Sequence, residues 1–215
     1  METDRITPES ENNQVRTIRG YYRLHASIYQ ATRWLFLFGR RRLILVLKLP
    51  AFSDKTVVEV GCGTGHNLAT LGSLYSKLKL IGIDISPDML KVAAKKLRSH
   101  SSRVQFLEKP YGSGDWKLPA KPEVVLFSYC LTMINPGWED SLQRAYDDLE
   151  EGGQIAVVDF HGSHFGIFRR WMDFNHVRVD KHLLPFLATR FTTSHVEIRQ
   201  AYGGLWSYFL FVGKK

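Results

Sequence analysis

Three glycines at alternate positions, Gly61, Gly63 and Gly65, lie within the stretch TVVEVGCGTGHNL. They follow a β-branched run around Glu59 that predicts a buried strand, and they precede a predicted helix that begins near His66. Glycine lets the backbone adopt a positive φ and lets a bound small molecule approach the main chain closely. The first amides of the helix would point at an anionic part of that molecule. The pattern therefore predicts a ligand-binding turn.

A carboxylate ends the next predicted strand, which runs from Lys79 to Ile85 and contains Asp84. In a doubly wound sheet such an acid lies beside the first turn, where it can accept hydrogen bonds from both hydroxyls of a ribose. The spacing G-x-G-x-G lacks the third glycine that dinucleotide-binding domains use for close helix packing under a pyrophosphate. The two features together favour a smaller nucleoside ligand.

The motif E-x-G-C-G-T-G, followed by I-G-I-D, resembles the S-adenosylmethionine site of class I methyltransferases. The resemblance implies an α/β, Rossmann-like fold with a mostly parallel seven-stranded sheet, a terminal antiparallel hairpin and an N-terminal helical lid. It also implies S-adenosylmethionine as the cofactor. The residues expected to contact the cofactor are Glu59, Gly61, Cys62, Gly63, Thr64, Gly65, Asn67, Asp84, Ile85, Tyr111, Ser128 and Tyr129.

The elements that position these residues alternate between strand and helix along the chain. Ser86 followed by a proline predicts a helix start, because serine is a favoured N-cap and proline a favoured first residue. A predicted strand ending at Phe127 would place Ser128 and Tyr129 at the carboxyl edge of the sheet, where ligands bind in such folds. Asp159 and His161 are expected to leave a later strand at that edge. The chain ends with a helical stretch and a predicted antiparallel hairpin.

Methyl transfer to nitrogen needs an amine held behind the methyl group and a route for its proton. We expect Tyr129 to accept or guide that proton, with His25, His161 and His176 as further candidates. A methylated ammonium product cannot donate hydrogen bonds, and aromatic faces are suitable partners for it. The aromatic candidates are Tyr22, Tyr29, Trp34, Tyr129 and Trp206. The histidines lack the spacing of a metal site, so no metal is expected.

Composition divides the 215 residues into three segments. Residues 1–14 are polar and predict a flexible start, residues 15–50 form a basic, aromatic-rich helical lid, and residues 51–215 form the methyltransferase domain. The second helix of the lid is expected to end at Pro50. With only Cys62 and Cys130 in the chain, no disulfide framework is expected, which fits a reducing cytosolic setting.

The lid holds the excess positive charge of the chain. The net charge is +8, and no acidic residue lies between Glu11 and Asp54. Apolar runs in the lid are too short to cross a bilayer, but helices with arginines beside aromatics can lie in the headgroup region of an anionic membrane. We expect Arg40, Arg41 and Arg42 to contact lipid. The aliphatic run LILVL does not suit base stacking, so nucleic acid is not an expected partner.

Two longer stretches, YYRLHASIYQATRWLFLFGRRRL and SYCLTMINPGWEDSL, resemble the betaine-lipid N-methyltransferases. The resemblance implies successive methylation of the amino group of diacylglycerylhomoserine to diacylglyceryl-trimethylhomoserine, at the inner face of the membrane, with an upstream enzyme that supplies the lipid. Substrate or lid contacts are expected from Tyr22, Tyr29, Arg33 and Trp34. The alternatives are a methyltransferase for another amphiphile, such as phosphatidylethanolamine or a quinone precursor, and a non-catalytic scaffold with the same fold.

Overall fold

The computed structural model of the protein describes residues 36–114 and 116–215. Within these residues the strands are β1 (Thr56–Val60), β2 (Lys79–Asp84), β3 (Val104–Glu108), β4 (Val124–Ser128), β5 (Gln154–Gly162), β6 (Thr192–Ala201) and β7 (Trp206–Lys214). The helices are α1 (Arg40–Val46), α2 (His66–Leu74), α3 (Pro87–Lys96), α4 (Trp138–Asp148), α5 (Gly166–Phe174) and α6 (Leu183–Arg190). Residues Phe38–Lys215 form one compact unit, and everything below concerns that unit.

The described strands form one seven-stranded sheet in the order β3-β2-β1-β4-β5-β7-β6. Strands β1 to β5 are parallel to one another, whereas β7 pairs antiparallel with both β5 and β6. This is the mostly parallel sheet with a terminal hairpin that the sequence predicted, and that expectation is confirmed. The chain moves outward from β1 to β3 and then returns to β4 on the other side of β1. In open α/β sheets, ligands bind at the carboxyl ends of the strands beside such a switch point.

Burial follows from this topology. All residues of β1 and β4 are buried, as expected for central parallel strands that helices cover on both faces. The edge strand β6 carries mostly exposed and half-buried residues, including Glu197 and Arg199, and charged side chains on an edge strand discourage pairing with another chain.

A local capping signal in the sequence sets the start of α3. The Oγ of Ser86 accepts a hydrogen bond from the N–H of Met89 at 3.4 Å, and Pro87 begins α3, as predicted. The helix that was expected to continue to Pro50 instead ends at Val46, and Lys48 then has a left-handed backbone with φ of 49°. The predicted boundary after residue 50 therefore lies inside the compact unit, which includes α1. No helix in the described part of the chain is long and apolar enough to span a bilayer.

Candidate functional site

The predicted ligand-binding turn lies between β1 and α2, and its glycines have positive φ values of 66°, 51° and 69° at Gly61, Gly63 and Gly65. A Cβ at Gly65 would lie 2.7 Å from Cδ1 of Leu97 and 3.0 Å from Cβ of Ala93. Gly65 therefore allows the turn to pack closely against α3. The contact is with the helix after β2, so the predicted lack of the third glycine of dinucleotide-binding domains is unaffected.

The acid at the end of β2 is tied to this turn. The N–H of Gly63 donates to Oδ2 of Asp84 at 2.7 Å, and the N–H of Ser86 donates to Oδ1 at 2.9 Å. The predicted position of Asp84 beside the first turn is confirmed, and its contact with a ribose stays a prediction. Glu108 at the end of β3 lies opposite Asp84 in the strand register, so a second carboxylate marks this edge.

A hydrogen bond between two buried polar side chains joins the strand and the helix on either side of the turn. Nδ2 of Asn67 on α2 donates to Oε1 of Glu59 on β1 at 2.7 Å, and both side chains are buried. A hydrogen bond to a charged group contributes about 1.5–3 kcal/mol. Because this bond joins the elements on either side of the glycine turn, Glu59 and Asn67 hold the geometry of the turn.

The other residues of the turn differ in their exposure. Cys62 is a buried free thiol, and its N–H donates to the carbonyl of Ile83 at 3.0 Å. Thr64 and Ile85 are half-buried at the rim, and Oγ1 of Thr64 accepts a hydrogen bond from Nζ of Lys96 at 3.5 Å.

Tyr111 packs against α4. Its hydroxyl donates to Oδ2 of Asp148 on α4 at 3.0 Å, and its ring contacts those of Phe127 and Trp116 at 6.2 and 6.1 Å. Burial, together with the charge of Asp148, raises the pKa of this hydroxyl far above its usual range. The side chain is thus part of the core between the sheet and α4, and its contact with a cofactor stays a prediction.

Ser128 and Tyr129 lie at the carboxyl end of β4, as predicted. Tyr129 is buried and has a left-handed backbone with φ of 54°, a conformation that is uncommon for residues other than glycine. Its hydroxyl donates to the carbonyl of Phe38 at 2.8 Å. Burial raises the pKa of Tyr129 well above its ordinary value, with Asp159 adding to the effect. Because the neutral hydroxyl already donates its proton to the Phe38 carbonyl, it holds the segment at Phe38 in place. This geometry does not favour Tyr129 as a proton acceptor.

Asp159 lies inside β5 and is buried, which corrects the expectation that it leaves the strand toward a ligand. Its Oδ2 accepts from the N–H groups of Leu131 and Thr132 at 3.0 and 3.3 Å, and its Oδ1 accepts from the Thr132 hydroxyl at 2.6 Å and from the N–H of Phe160 at 2.8 Å. Burial raises the pKa of Asp159 to about 6, and these hydrogen bonds oppose the increase. Through these hydrogen bonds the carboxyl group stabilises the loop that follows β4.

The histidine candidates are dispersed. His161 is half-buried in β5, where burial and the charge of Lys181 lower its pKa. His176 is exposed in the turn after α5, with its N–H donating to the carbonyl of Asp173 at 2.9 Å. His25 and the lid residues Tyr22, Tyr29, Arg33 and Trp34 lie outside the described residues.

The three arginines of α1 have different surroundings. Arg40 is half-buried, Arg41 is exposed, and Nε of Arg42 forms an ion pair with Oε2 of Glu197 at 2.6 Å. Glu197 also contacts Arg199. The hydrogen bond from Arg42 is the main cause that lowers the pKa of Glu197 to about 2. Part of the positive charge expected for lipid contact is therefore paired within the protein.

Aromatic rings that the sequence analysis mostly missed gather at the carboxyl edge. This edge aromatic cluster comprises Phe38, Tyr129, Phe160, Tyr202, Trp206 and Tyr208. The ring centroids of Tyr129 and Phe160 are 4.8 Å apart, those of Phe38 and Tyr202 are 5.5 Å apart, and those of Phe38 and Tyr208 are 6.2 Å apart. The alternation of Trp206 and Tyr208 along β7 is a signal for part of it, but no local signal places Phe38 there.

The edge suits a nucleoside cofactor. Oδ1 of Asn67 and Oγ of Ser128 are buried and have no hydrogen-bond partner among the described residues. The carboxylate of Asp84 has about four acceptor positions, two of which take the N–H groups of Gly63 and Ser86. A buried polar atom without a hydrogen-bond partner lowers the stability of the fold, and a polar ligand at this edge could supply the missing hydrogen bonds.

Comparison with known proteins agrees with the geometry. Residues 57–153 match a family model described as a methyltransferase domain. Trans-aconitate 2-methyltransferase of Afipia carboxidovorans is 29% identical over 113 residues, which is 53% of this chain and 41% of that protein. Carboxy-S-adenosyl-L-methionine synthase of Campylobacter curvus is 32% identical over 117 residues, which is 54% of this chain and 48% of that protein. The chain thus spans less than half the length of these two curated relatives.

Among solved structures, the 1,6-didemethyltoxoflavin-N1-methyltransferase of Burkholderia thailandensis, with bound 1,6-didemethyltoxoflavin and S-adenosylhomocysteine, superposes with a TM-score of 0.68 at 18% identity. The match covers 100% of this chain and 93% of that one. At this identity the likeness establishes the shared fold.

Proposed function

Because the chain carries a class I methyltransferase domain, whose methyl donor is S-adenosylmethionine, we propose that it methylates the amino group of a lipid headgroup. The acceptor that we propose is diacylglycerylhomoserine, through three successive transfers that give the trimethylhomoserine betaine lipid. The observation that carries the choice of an amine is the edge aromatic cluster at the carboxyl ends of β4 and β5. The resemblance of two long stretches of sequence to betaine-lipid N-methyltransferases supports the choice of lipid.

The glycine turn and Asp84 would hold the donor. Bound S-adenosylmethionine supplies a methyl group on a positively charged sulfur, which is already a good leaving group. The carboxylate of Asp84 would accept hydrogen bonds from the ribose, and its bond to the N–H of Gly63 fixes it against the turn. Gly65 and the Glu59–Asn67 pair keep that turn in place, so the residues of this chain contribute mainly by orientation.

The edge aromatic cluster suits an amine whose charge becomes permanent. Each aromatic face near an ammonium group contributes about 0.5–2 kcal/mol, and the attraction does not need an N–H donor. Phe38 and Tyr202 are partly exposed, so the cluster has faces that a ligand can reach, while Tyr129 and Trp206 are buried behind them. Such a surface binds the first and the last methylated product by the same physical interaction.

The proton of the attacking amine needs an acceptor. Tyr129 keeps its own proton in a bond to Phe38, so we place His161 first among the described candidates. The lowered pKa of His161 keeps its imidazole neutral at pH 7, and neutral imidazole can take a proton. Its Nδ1 has no hydrogen-bond partner within the described part of the chain.

A second candidate function is methylation of a small carboxylic acid, since a relative at 29% identity is a trans-aconitate 2-methyltransferase. A carboxylate acceptor would need cationic partners at the acceptor edge. The described residues there are mainly aromatic rings, and the charge of Arg40 also acts on the Tyr129 hydroxyl. Because the rings and the resemblance to betaine-lipid N-methyltransferases both suit an amine, we favour the amine.

We also propose that the protein works at the surface of an anionic membrane, where a lipid acceptor is presented. The exposed Arg41 of α1 would contribute most to this attraction, Arg40 less because it is half-buried, and Arg42 less because of its ion pair with Glu197. Charges near an anionic surface are each worth about 1 kcal/mol, and salt weakens them.

Purified protein with methyl-labelled S-adenosylmethionine tests the proposed acceptor. Diacylglycerylhomoserine, phosphatidylethanolamine and trans-aconitate are offered separately, the lipids in phosphatidylcholine vesicles, and products are identified by mass spectrometry. We expect a gain of three methyl groups on the homoserine lipid alone. Transfer to trans-aconitate or phosphatidylethanolamine without transfer to the homoserine lipid would overturn the proposal. An Asp84→Ala variant, which loses cofactor affinity on this reasoning, controls for contaminating activity.

A further inference from the structure

Helix α5, Gly166–Phe174, has an apolar surface wider than the part that the protein covers. Phe168 and Met172 are buried and face the core. Ile167, Trp171 and Phe174, at spacing i, i+4 and i+7, lie on one face and are 88%, 48% and 80% exposed. A soluble helix normally presents polar residues on its outer face. The exposed stripe therefore needs an explanation other than packing within the described core.

Positive charge accompanies this stripe. Arg170 is exposed on the same side of the helix, whereas Arg169 faces another side, where its Nη1 donates to the carbonyl of Ser163 at 3.3 Å. Asp173 is the one acidic residue of the helix. Phe165, immediately before the helix, is 54% exposed and adds a further ring. Exposed aromatic and aliphatic side chains beside arginines are typical of helices that lie in the headgroup region of a bilayer.

The location connects the stripe to the proposed acceptor edge. Helix α5 follows the carboxyl end of β5, and the ring of Phe168 stacks on that of Trp206 with centroids 5.3 Å apart and planes 4° apart. Phe168 also contacts the ring of Trp171 at 5.9 Å. One side of α5 is thus fixed to the edge aromatic cluster, while Ile167 and Phe174 point away from the core.

We propose that the outer face of α5, formed by Phe165, Ile167, Arg170, Trp171 and Phe174, is a docking surface for an anionic lipid bilayer. The apolar side chains enter the acyl boundary, and Arg170 contacts lipid phosphates. This goes beyond the methyl-transfer proposal, since it assigns a membrane contact to an element that the sequence analysis described only as helical. It also brings the carboxyl edge of the sheet close to the membrane surface.

The test is the binding of the full-length protein to vesicles of phosphatidylcholine with phosphatidylglycerol, compared with phosphatidylcholine alone, in a flotation assay without cofactor or acceptor. The variant is the double substitution Ile167→Ser and Phe174→Ser, at side chains too exposed to contribute much to folding. The matched control is Phe52→Ser, because Phe52 is 78% exposed but precedes β1 at the opposite edge of the sheet.

We expect the double variant to lose about tenfold or more in partitioning to anionic vesicles, since it removes two large apolar side chains from the surface that would enter the acyl boundary. Phe52→Ser should bind like the parent. Arg170→Gln should weaken binding to anionic vesicles while leaving the weak binding to neutral ones unchanged.

Two results would overturn the proposal. One is that the double variant and the parent bind vesicles equally. The other is that the parent does not bind vesicles but sediments as a dimer that the double variant dissociates, which would assign the face to a second copy of the chain. Because no methyl acceptor is present, failure of the lipid-methylation assay leaves this test unaffected.

Discussion

The substitution Gly65→Ala tests how closely the ligand-binding turn packs on α3. Gly65 has φ of +69°, and an added Cβ would lie 2.7 Å from Cδ1 of Leu97, 3.0 Å from Cβ of Ala93 and 3.4 Å from the Ala93 Cα. Leu97 is itself buried, and the Ala93 atoms belong to or directly adjoin the backbone of a helix. The neighbours of Gly65 therefore have little room to move.

Two costs add for this substitution. A left-handed conformation costs a residue with a Cβ about 1–2 kcal/mol. Overpacking of a filled site costs about 1–3 kcal/mol more. We expect Gly65→Ala to lower the free energy of unfolding by about 2–5 kcal/mol. The variant should also bind S-adenosylmethionine more weakly, because relief of the clash displaces the turn from Asp84.

Gly152→Ala separates the two costs. Gly152 has φ of +74° but no atom within 4 Å of an added Cβ, so it incurs only the conformational cost. The change in the unfolded chain is the same for both substitutions and cancels in the comparison. The difference in unfolding free energy, measured by urea titration, should be about 1–3 kcal/mol in favour of Gly152→Ala. Equal losses in the two variants would refute the packing argument.

Three further perturbations follow from contacts at the same edge. Tyr129→Phe removes one hydrogen bond and should lower the unfolding free energy by about 0.5–1.5 kcal/mol. It should leave the pH profile of methyl transfer unchanged. If a titration were lost from that profile, Tyr129 would again be the proton acceptor. Asp159 has a folded pKa of about 6 against 3.8 unfolded, so the stability that its protonation contributes is complete below pH 4 and is lost as the pH rises through 6. This loss of stability amounts to about 3 kcal/mol between pH 4 and 7, and urea titrations should not show it for Asp159→Asn. If the unfolding free energy of both proteins changed equally with pH, the raised pKa of the buried carboxyl would be contradicted. Arg41→Gln should weaken binding to anionic vesicles at low salt more than Arg42→Gln does, because Glu197 already pairs with Arg42, and the opposite order would show that the ion pair does not hold in solution.

Signals between near neighbours in the chain determined much of this protein from sequence alone. The alternate glycines after a β-branched run identified the turn, and the next strand end supplied Asp84, because strand, turn and helix there depend on adjacent residues. Ser86 and the proline after it identified the start of α3 for the same reason. The alternation of strands and helices, together with the resemblance to class I methyltransferases, then predicted the parallel sheet and the terminal hairpin.

Contacts between distant residues were decided only by the tertiary structure. Tyr111 bonds to Asp148, 37 residues away, and Tyr129 bonds to the carbonyl of Phe38, 91 residues away. These contacts give two predicted site residues roles in the packing, since a side chain's partner depends on which elements the sheet order brings together. Burial inside β5 likewise gives the carboxyl of Asp159 a place in the core, where the sequence predicted a place at the ligand edge. Which apolar residues of α5 face water also depends on where the helix packs, because the sequence fixes their periodicity but not which face meets the core.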